Sequence, residues 1–377
     1  MTKSPLLPIS KNDTNIFKGM GILLIMLHNF LHWVEPNTGE NEFDFLHSRV
    51  VTLVKGIINT PLESIHLFFD FFGPYGLAFF FFISAYGLTI SYNKNSSISY
   101  GNFIKSRLLK LYPAYIISVF LLIIWLIVRN EHFSISIFRS IVYKLLLISN
   151  FIKDEPLALN GPWWFLVAIM QFYFIFPLLI KGHRKYGNKF LWLIALVGFA
   201  IRMVYVYVGG KLISFVPYSF IPYIFELTLG IYLASIKEIK LNKSKLRLIA
   251  ILAFLVFCAG NYQLEFWYFS YPAFLVVFLF SYSYIKTMLK HLPAINNFFI
   301  YFGSLSYYLF LIHGPLRVPL VYYAQNATPY GKIGYAFVFL ILSIIFAQFL
   351  KLLEQKILTI IWTYKFRRSK NSNNEQL

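Results

Sequence analysis

Ten stretches of mostly apolar residues constrain this chain more than any other feature of its sequence. A helix of about 20 apolar residues crosses the hydrocarbon core of a bilayer, and each stretch approaches that length. Only 13% of the 377 residues are charged, about half the share of a typical soluble domain. We therefore expect an all-α, polytopic membrane helical bundle with spans at residues 16–34, 74–92, 111–128, 162–180, 190–208, 219–236, 247–261, 266–285, 299–323 and 334–361.

The distribution of basic residues predicts how these spans are oriented. A further apolar stretch, 134–152, carries Arg139 and Lys144 near its middle, and we interpret it as an interfacial or re-entrant helix. If it does not cross, the loops on one side hold 22 Lys and Arg, and those on the other side hold 8. Because Lys and Arg accumulate in cytoplasmic loops, both termini are predicted to be cytoplasmic. The topology also explains the net charge of +19 without a nucleic-acid partner.

The chain is predicted to contain one domain. We expect a single transmembrane domain over residues 1–364 and a polar cytoplasmic tail, predicted to be disordered, over residues 365–377. The first apolar segment is not followed by a small-residue cleavage site, so we expect it to remain as a helix. Cys258 is the single cysteine, which excludes an intrachain disulfide.

Two histidines lie in the first predicted span, where an ionisable side chain is costly and therefore a functional candidate. His28 and His32 are four residues apart, so they share one face of a helix. The deeper His28 could be a general base or could simply bind a neighbouring helix, and His32 could belong to the membrane interface. The pair could also bind a metal, but no carboxylate or thiol is placed to complete a site, so no metal is expected.

Other ionisable residues lie in later spans. Arg202 and Glu226 lie on consecutive predicted spans and are expected to pair with each other. Arg317 follows His313 by four residues, so the two share a helical face. Arg317 could bind an anionic group of a substrate, or it could extend toward the interface.

A basic tract opens the third predicted span at its cytoplasmic end. It contains Lys105, Arg107 and Lys110, and the last two are neighbours on the helix surface. Fixed cations at the start of a helix attract phosphate. The same charges could also reflect the membrane topology alone.

Four stretches carry recognisable motifs, in one order along the chain: residues 17–28, 79–88 with 107–113, 164–177, and 306–315. Together they resemble the acyltransferase-3 family of bacterial membrane O-acyltransferases, from about residue 14 to about residue 360. In this resemblance Lys18 is the basic residue that precedes the essential histidine, His28. Nine residues separate the two where ten are usual, so Asn29 stands at the usual place.

The resemblance implies transfer of an acyl group, commonly acetyl from acetyl-CoA, to a hydroxyl of a cell-envelope polysaccharide or its lipid-linked precursor. The expected location is the bacterial cytoplasmic membrane, as a multi-pass protein. We expect His28 to be the general base and His32 to assist it. The basic tract of Lys105, Arg107 and Lys110 would bind the CoA phosphates. The expected substrate-binding residues are Lys18, Asn29, Trp164, Gln171, Tyr173, His313 and Arg317.

Other functions remain open at this point. A transporter or flippase of lipid-linked sugars would line its path with Arg202, Glu226 and Arg317, and inverted repeats would favour it, but we detect no repeat. An envelope glycan polymerase or ligase would need paired acids or arginines in a large outer loop, whereas the longest predicted outer loop, 35–73, has only two basic residues. A non-enzymatic assembly role is a further alternative. The sequence specifies neither the acceptor glycan nor the acyl chain length nor the oligomeric state.

Overall fold

A computed structural model of the chain describes residues 7–39, 42–94, 98–129, 133–208, 214–239 and 242–374, with side chains described up to Ile361. Helices account for 83% of the structure, and the described ranges contain no strand, which confirms the all-α prediction. The helices are α1 (Lys11–Leu31), α2 (His47–Asn59), α3 (Ser64–Phe72), α4 (Gly76–Lys94), α5 (Tyr100–Val128), α6 (Ile135–Leu145), α7 (Trp164–Tyr186), α8 (Asn188–Tyr207), α9 (Ile224–Ser235), α10 (Lys243–Tyr262), α11 (Leu264–Trp267), α12 (Ser270–His291), α13 (Pro293–Ala324) and α14 (Pro329–Asn374).

The membrane spans agree with the prediction in number and order. In the described ranges nine helices are long and apolar enough to cross a membrane, and Ile221–Ser235 is a shorter apolar helix. Together they correspond one for one to the ten predicted spans, and the chain is a multi-pass membrane protein. Helix α14 continues through Asn374, into the segment 365–377 for which the sequence predicts disorder.

The second span begins much earlier than predicted, and this difference matters for the candidate site. The second span starts at Pro61 instead of residue 74. Helix α3 leads into α4 through a single 3-10 turn, Gly73–Tyr75, so the apolar run is not interrupted. As a result Asp70 lies buried within the bundle and not in a loop.

The stretch 134–152 contains a helix too short to cross a bilayer. Helix α6 has 11 residues, which at 1.5 Å per residue extend over about 16 Å. Its C-terminal end packs against the middle of α5, where the Tyr112 hydroxyl donates to the carbonyl of Leu145 at 2.8 Å. Lys144 is buried and donates to the carbonyl of Pro156, and this burial lowers the pKa of Lys144 to about 8. These contacts fit the interfacial or re-entrant helix that the sequence predicts.

Local sequence explains where several helices begin. Ser10, Ser99, Ser134 and Asn242 are the N-caps of α1, α5, α6 and α10, and each side chain accepts a backbone N–H of the first turn. Such caps satisfy donors that have no partner within the helix. Between α7 and α8, Gly187 adopts a φ of 70°, which glycine tolerates without strain. Two long helices are thereby joined through one residue.

Helix α1 lies at the centre of the bundle, between α4 and α13. Phe17 packs edge-on against Phe79 of α4, with ring centroids 5.9 Å apart. Many large apolar side chains of α5, α8, α10 and α14 are exposed, as expected of helices that face lipid. We call the end where α1 and α10 begin the basic end. Asp13 and Lys286 form an ion pair there at 2.8 Å.

The orientation can be tested by labelling introduced cysteines. We predict that segment 181–189, which contains the end of α7 and the start of α8, is cytoplasmic, because it belongs to the side that holds 22 of the loop cations. In a Cys258→Ser background, Asn188→Cys should react with an impermeant maleimide only after the cells are opened. Asn326→Cys, at the other end of the bundle, should react in intact cells. Labelling of Asn188→Cys in intact cells would contradict the ten-crossing topology.

Candidate active site

The candidate active site is built around a carboxylate buried in the apolar bundle. Asp70 of α3 has no exposed surface. Its Oδ2 accepts hydrogen bonds from the backbone N–H and the hydroxyl of Thr38, both at 2.6 Å. Its Oδ1 lies 3.0 Å from Nδ1 of His32. Both oxygens are therefore hydrogen-bonded, as a buried carboxylate requires.

The backbone of Asp70 fixes the tautomer of His28. Nδ1 of the buried His28 ring lies 2.7 Å from the Asp70 carbonyl oxygen. A carbonyl oxygen can only accept, so the neutral ring must carry its proton on Nδ1 and its lone pair on Nε2. The same Nδ1 lies 4.0 Å from Oδ1 of Asp70. The carboxylate would therefore stabilise a positive charge that forms on His28.

Arg49 of α2 supports this arrangement from the other side. Its Nη2 donates to the carbonyls of Asp70 and Phe71, at 3.1 and 2.8 Å. Its Nε donates to the Thr38 hydroxyl at 3.3 Å, and that hydroxyl donates in turn to Asp70. We call Thr38, Arg49 and Asp70 the Asp70 clamp. The clamp joins α2, α3 and the segment after α1 into one hydrogen-bonded unit.

A glycine allows α3 to come this close to α1. Gly73 packs against α1 so tightly that a Cβ at this position would collide with the Cβ of His28 and crowd the carbonyl of Leu24. A larger residue would therefore push the chain after α3 away from α1. Glycine at position 73 keeps the Asp70 carbonyl within hydrogen-bond distance of His28.

A cavity of about 340 Å³ lies beside His28. This volume is near the lower end of the range of small-molecule sites, about 300–1,000 Å³. Five residues that the sequence predicts to be catalytic or substrate-binding line this cavity: His28, Asn29, His32, Trp164 and Arg317. The rest of the wall includes the rings of Trp33, Phe43 and Phe310 and the acidic side chain of Glu42.

Asn29 connects α1 to α13 at the edge of the cavity. Its Nδ2 lies 3.1 Å from Nε2 of the buried His313, whose Nδ1 lies 2.9 Å from the carbonyl of Leu309. The carbonyl requires the His313 proton on Nδ1, so Nε2 accepts from Asn29. Arg317 donates to the carbonyl of Asn29 at 2.9 Å. Its guanidinium also packs over the ring of Trp33, 5.1 Å from the centroid, which holds the cation at the cavity.

A second group of predicted site residues lies nearer the basic end. Lys18 is close enough to Lys110 for their charges to interact, and Arg107 is similarly close to Tyr173. Lys18 precedes His28 by ten residues on α1, so the two groups are separated by about 15 Å along the helix axis. The structure therefore divides the predicted residues between two positions along the bundle.

The two remaining predicted residues differ in their surroundings. Lys105 is exposed near the start of α5. Gln171 lies on α7, and its Nε2 is buried and has no hydrogen-bond partner among the described residues. A buried amide nitrogen without an acceptor is a position at which a bound substrate could supply one.

The structure corrects the expectation that no carboxylate accompanies the two histidines. One potential metal-binding atom from each of His28, His32 and Asp70 lies within 4.8 Å of the others. Three potential metal ligands are therefore present where two were expected. The hydrogen bond to the Asp70 carbonyl, however, requires a proton on Nδ1 of His28. A metal bound through this nitrogen would need its lone pair and would displace the bond to the Asp70 carbonyl.

The expected ion pair between Arg202 and Glu226 is not formed. Within the described ranges, Arg202 instead packs over Trp267, 4.2 Å from the ring centroid, and donates to the Tyr268 carbonyl at 3.2 Å. The negative face of an aromatic ring attracts a guanidinium. Both carboxylate oxygens of Glu226 are buried without a hydrogen-bond partner among the described residues. Neither residue lines the cavity that contains Arg317.

The three residues of the Asp70 clamp are not among the site residues predicted from the sequence. Asp70 could have been selected from the sequence, because it is the one acid in the otherwise apolar run 67–72. An acid within a membrane span is a functional candidate. Thr38 and Arg49 could not have been selected in this way, since both precede the second span and resemble ordinary loop and interface residues.

Comparison with known proteins identifies the family of the chain. The family model of the acyltransferase-3 domain, described as an acyltransferase domain, matches residues 12–351. The match includes the Asp70 clamp, the cavity and the cations near the basic end. No curated protein and no solved structure matches the chain. Because the family model covers nearly the whole chain, this membrane protein belongs to the acyltransferase-3 family of acyltransferases.

Proposed function

We propose that this acyltransferase moves an acyl group, most simply acetyl, from acyl-CoA to a hydroxyl of a cell-envelope polysaccharide or its lipid-linked precursor. We place it in the bacterial cytoplasmic membrane. The observation that supports the reaction best is the hydrogen bond from Nδ1 of His28 to the Asp70 carbonyl, at 2.7 Å. It gives a buried histidine beside a cavity the tautomer that a general base at Nε2 requires.

In the proposed reaction His28 activates the acceptor. An alcohol is a poor nucleophile until its proton is removed as it attacks. Nε2 of His28 takes the hydroxyl proton while the oxygen attacks the thioester carbonyl carbon. The carbon–sulfur bond of the resulting tetrahedral intermediate then breaks. The leaving thiolate recovers the proton from Nε2 and departs as free CoA. The Asp70 carboxylate, 4.0 Å from Nδ1 of His28, stabilises the transient imidazolium. His32 is hydrogen-bonded to the same carboxylate.

The donor would approach from the basic end. CoA carries several phosphates, and Arg107, Lys110 and Lys18 are grouped near that end. Arg side chains bind phosphate oxygens through paired N–H groups. The about 15 Å between Lys18 and His28 along α1 is a distance that the extended pantetheine arm can cover. Gln171 and Tyr173 on α7 are the proposed contacts along its path, and exposed Lys105 would add charge at its entrance.

The acceptor would occupy the 340 Å³ cavity. Aromatic side chains such as Trp164 and Phe43 offer flat apolar surfaces against which a sugar ring can pack. Arg317 is the one Lys or Arg among the described residues of the cavity wall, and it donates to the carbonyl of Asn29. We assign it to an anionic group of the acceptor, such as a phosphate. His313 acts indirectly, because it accepts the hydrogen bond from Asn29.

Mass spectrometry of envelope polysaccharides tests the proposed function in cells. Glycans from cells that contain the gene should carry O-acyl groups that are absent when the gene is deleted. Restoring the wild-type gene should restore them. Identical acylation in the presence and absence of the gene would contradict the proposal.

Removing the proposed base should abolish transfer without unfolding the protein. We expect His28→Ala to lower acyl transfer at least about a hundredfold, which is the smaller effect typical of a lost general base. His28→Gln retains size and hydrogen bonding but cannot take the proton, so it should be equally inactive. Transfer from acetyl-CoA by the purified protein in liposomes measures both variants.

Two other histidines serve as comparisons for that experiment. His32→Ala should reduce transfer less than His28→Ala, because its ring only shares the Asp70 carboxylate. His291→Ala, at the exposed end of α12, should leave transfer unchanged. If His28→Ala remained active and His32→Ala were inactive, the base would lie one turn further along α1.

Replacing the carboxylate of the Asp70 clamp should affect the rate more than substrate binding. Asp70→Asn keeps the backbone carbonyl that binds His28 but removes the negative charge near it. We expect kcat to fall about ten- to a hundredfold, because the imidazolium loses that stabilisation, while KM for acetyl-CoA stays similar. Asp13→Asn is the matched control, since Asp13 is also a buried acid but lies at the basic end. Equal effects of the two substitutions would indicate a purely structural role for Asp70.

The donor site can be tested by titrating binding against salt. Arg107→Ala should weaken acetyl-CoA binding about tenfold, the effect of one lost charged hydrogen bond. The remaining affinity should depend less on ionic strength, because one screened contact is gone. Lys189→Ala removes an exposed charge from the same end and should leave binding unchanged. An Arg107→Ala protein with wild-type affinity and salt response would exclude this assignment.

A further inference from the structure

A groove near the basic end has no part in the proposed reaction. It lies between α9, α10 and α12 and has a volume of about 630 Å³, larger than the cavity beside His28. Its wall includes residues from the last turns of α9, the first half of α10 and the middle and later turns of α12. It therefore opens at the end of the bundle where α10 begins.

The packing of α10 explains why the groove exists. Near its C-terminal end α10 contacts the rest of the bundle tightly: a Cβ on Gly260 would be 2.8 Å from the Phe266 carbonyl oxygen and 3.1 Å from the Cβ of Ser270. Toward its N-terminal end, larger side chains such as Leu246 and Phe280 line the space between α10 and α12. The helices are thus close at one end and leave a groove at the other.

The inner surface of the groove is apolar. Leu229 and Leu233 of α9 and Leu279 of α12 line it and are themselves buried in the core. Lipid tails are as apolar as leucine, so this surface can contact any lipid acyl chain. Discrimination between lipids must therefore come from contacts of their headgroups with the polar residues at the mouth of the groove.

The mouth of the groove is positively charged. Lys243 and Arg247 both line it, and their spacing of four residues places them on one face of α10. No described residue of the lining is acidic. The first turn of α10 also contains no acid, although the N-terminus of a helix favours negative charge and disfavours positive charge. An anion at this position would be attracted both by the two cations and by the N-terminus of α10.

We propose that this groove binds an anionic phospholipid from the leaflet at the basic end of the bundle. One acyl chain lies along the apolar surface beside Leu233 and Leu279, and the phosphate contacts Lys243 and Arg247. Basic pockets between transmembrane helices on the cytoplasmic side are suited to anionic headgroups. This binding does not depend on the acyl-transfer reaction, because the groove shares no lining residue with the cavity beside His28.

Native mass spectrometry of the full-length protein tests the proposal. The protein is purified from nanodiscs that contain equal amounts of phosphatidylglycerol and phosphatidylcholine, and the retained lipids are counted. The wild-type protein should retain phosphatidylglycerol in preference to phosphatidylcholine. Lys243→Gln with Arg247→Gln should reduce that preference about tenfold, because two of the charges that attract an anionic headgroup are lost. Equal preference in wild-type and variant protein would overturn the proposal.

A matched variant and a steric variant complete the experiment. Lys237→Gln with Lys245→Gln removes the same charge from exposed positions outside the groove, and the preference should persist. Ser283→Trp places a bulky ring in the groove and should reduce retention of phosphatidylglycerol while the cations remain. Unchanged retention by Ser283→Trp would overturn the proposal, as would a lipid-free dimer in which a second copy covers the groove.

Discussion

The burial of the Asp70 carboxylate is the constraint on which the rest of the candidate site depends. An ionised group within an apolar bundle must be given hydrogen-bond donors, because leaving it unpaired costs several kcal/mol. The donors come from separate parts of the chain: His32 near the end of α1 and Thr38 in the following segment. Arg49 of α2 then binds both Thr38 and the Asp70 backbone. One carboxylate thereby organises a loop and two short helices over the end of α1.

The chemistry proposed for His28 follows from the same arrangement. A neutral histidine can carry its proton on either nitrogen, and the carbonyl of Asp70 removes that choice. The close approach of Gly73 to α1 keeps that carbonyl in place. In the proposed reaction the acceptor enters beside His28, while the donor extends from cations about ten residues earlier on α1. The bundle would then join a donor and an acceptor that arrive from opposite ends.

Features encoded locally could be predicted from the sequence. Apolar segment length predicts the helices, and the loop charges predict their orientation. His28, Asn29, Trp164 and Arg317, each selected from the sequence, line one cavity in the structure. The family match agrees with the resemblance found in the motifs. The Asp70 clamp could not be predicted in this way, because a span that starts at residue 74 leaves Asp70 in a loop. Its partners are 21 and 32 residues away in the chain.

The expected ion pair between Arg202 and Glu226, which is not formed, also could not be judged from the sequence alone. Two opposite charges on consecutive spans suggest an ion pair, but the sequence does not show that Trp267 lies over the guanidinium. An aromatic ring can stabilise a buried cation as a carboxylate does. Opposite charges on consecutive spans therefore do not suffice to predict a contact in this bundle.

The protonation of His28 is the property most directly open to measurement. Solid-state NMR of ¹⁵N-histidine-labelled protein in lipid bilayers distinguishes the two neutral tautomers, and comparison with His28→Gln assigns the signal to this residue. At neutral pH we expect a protonated Nδ1 and an unprotonated Nε2, with the Nδ1 shift typical of a hydrogen bond to a carbonyl. A His28 signal from the opposite tautomer, protonated on Nε2, would contradict the role of the Asp70 carbonyl in preparing the base.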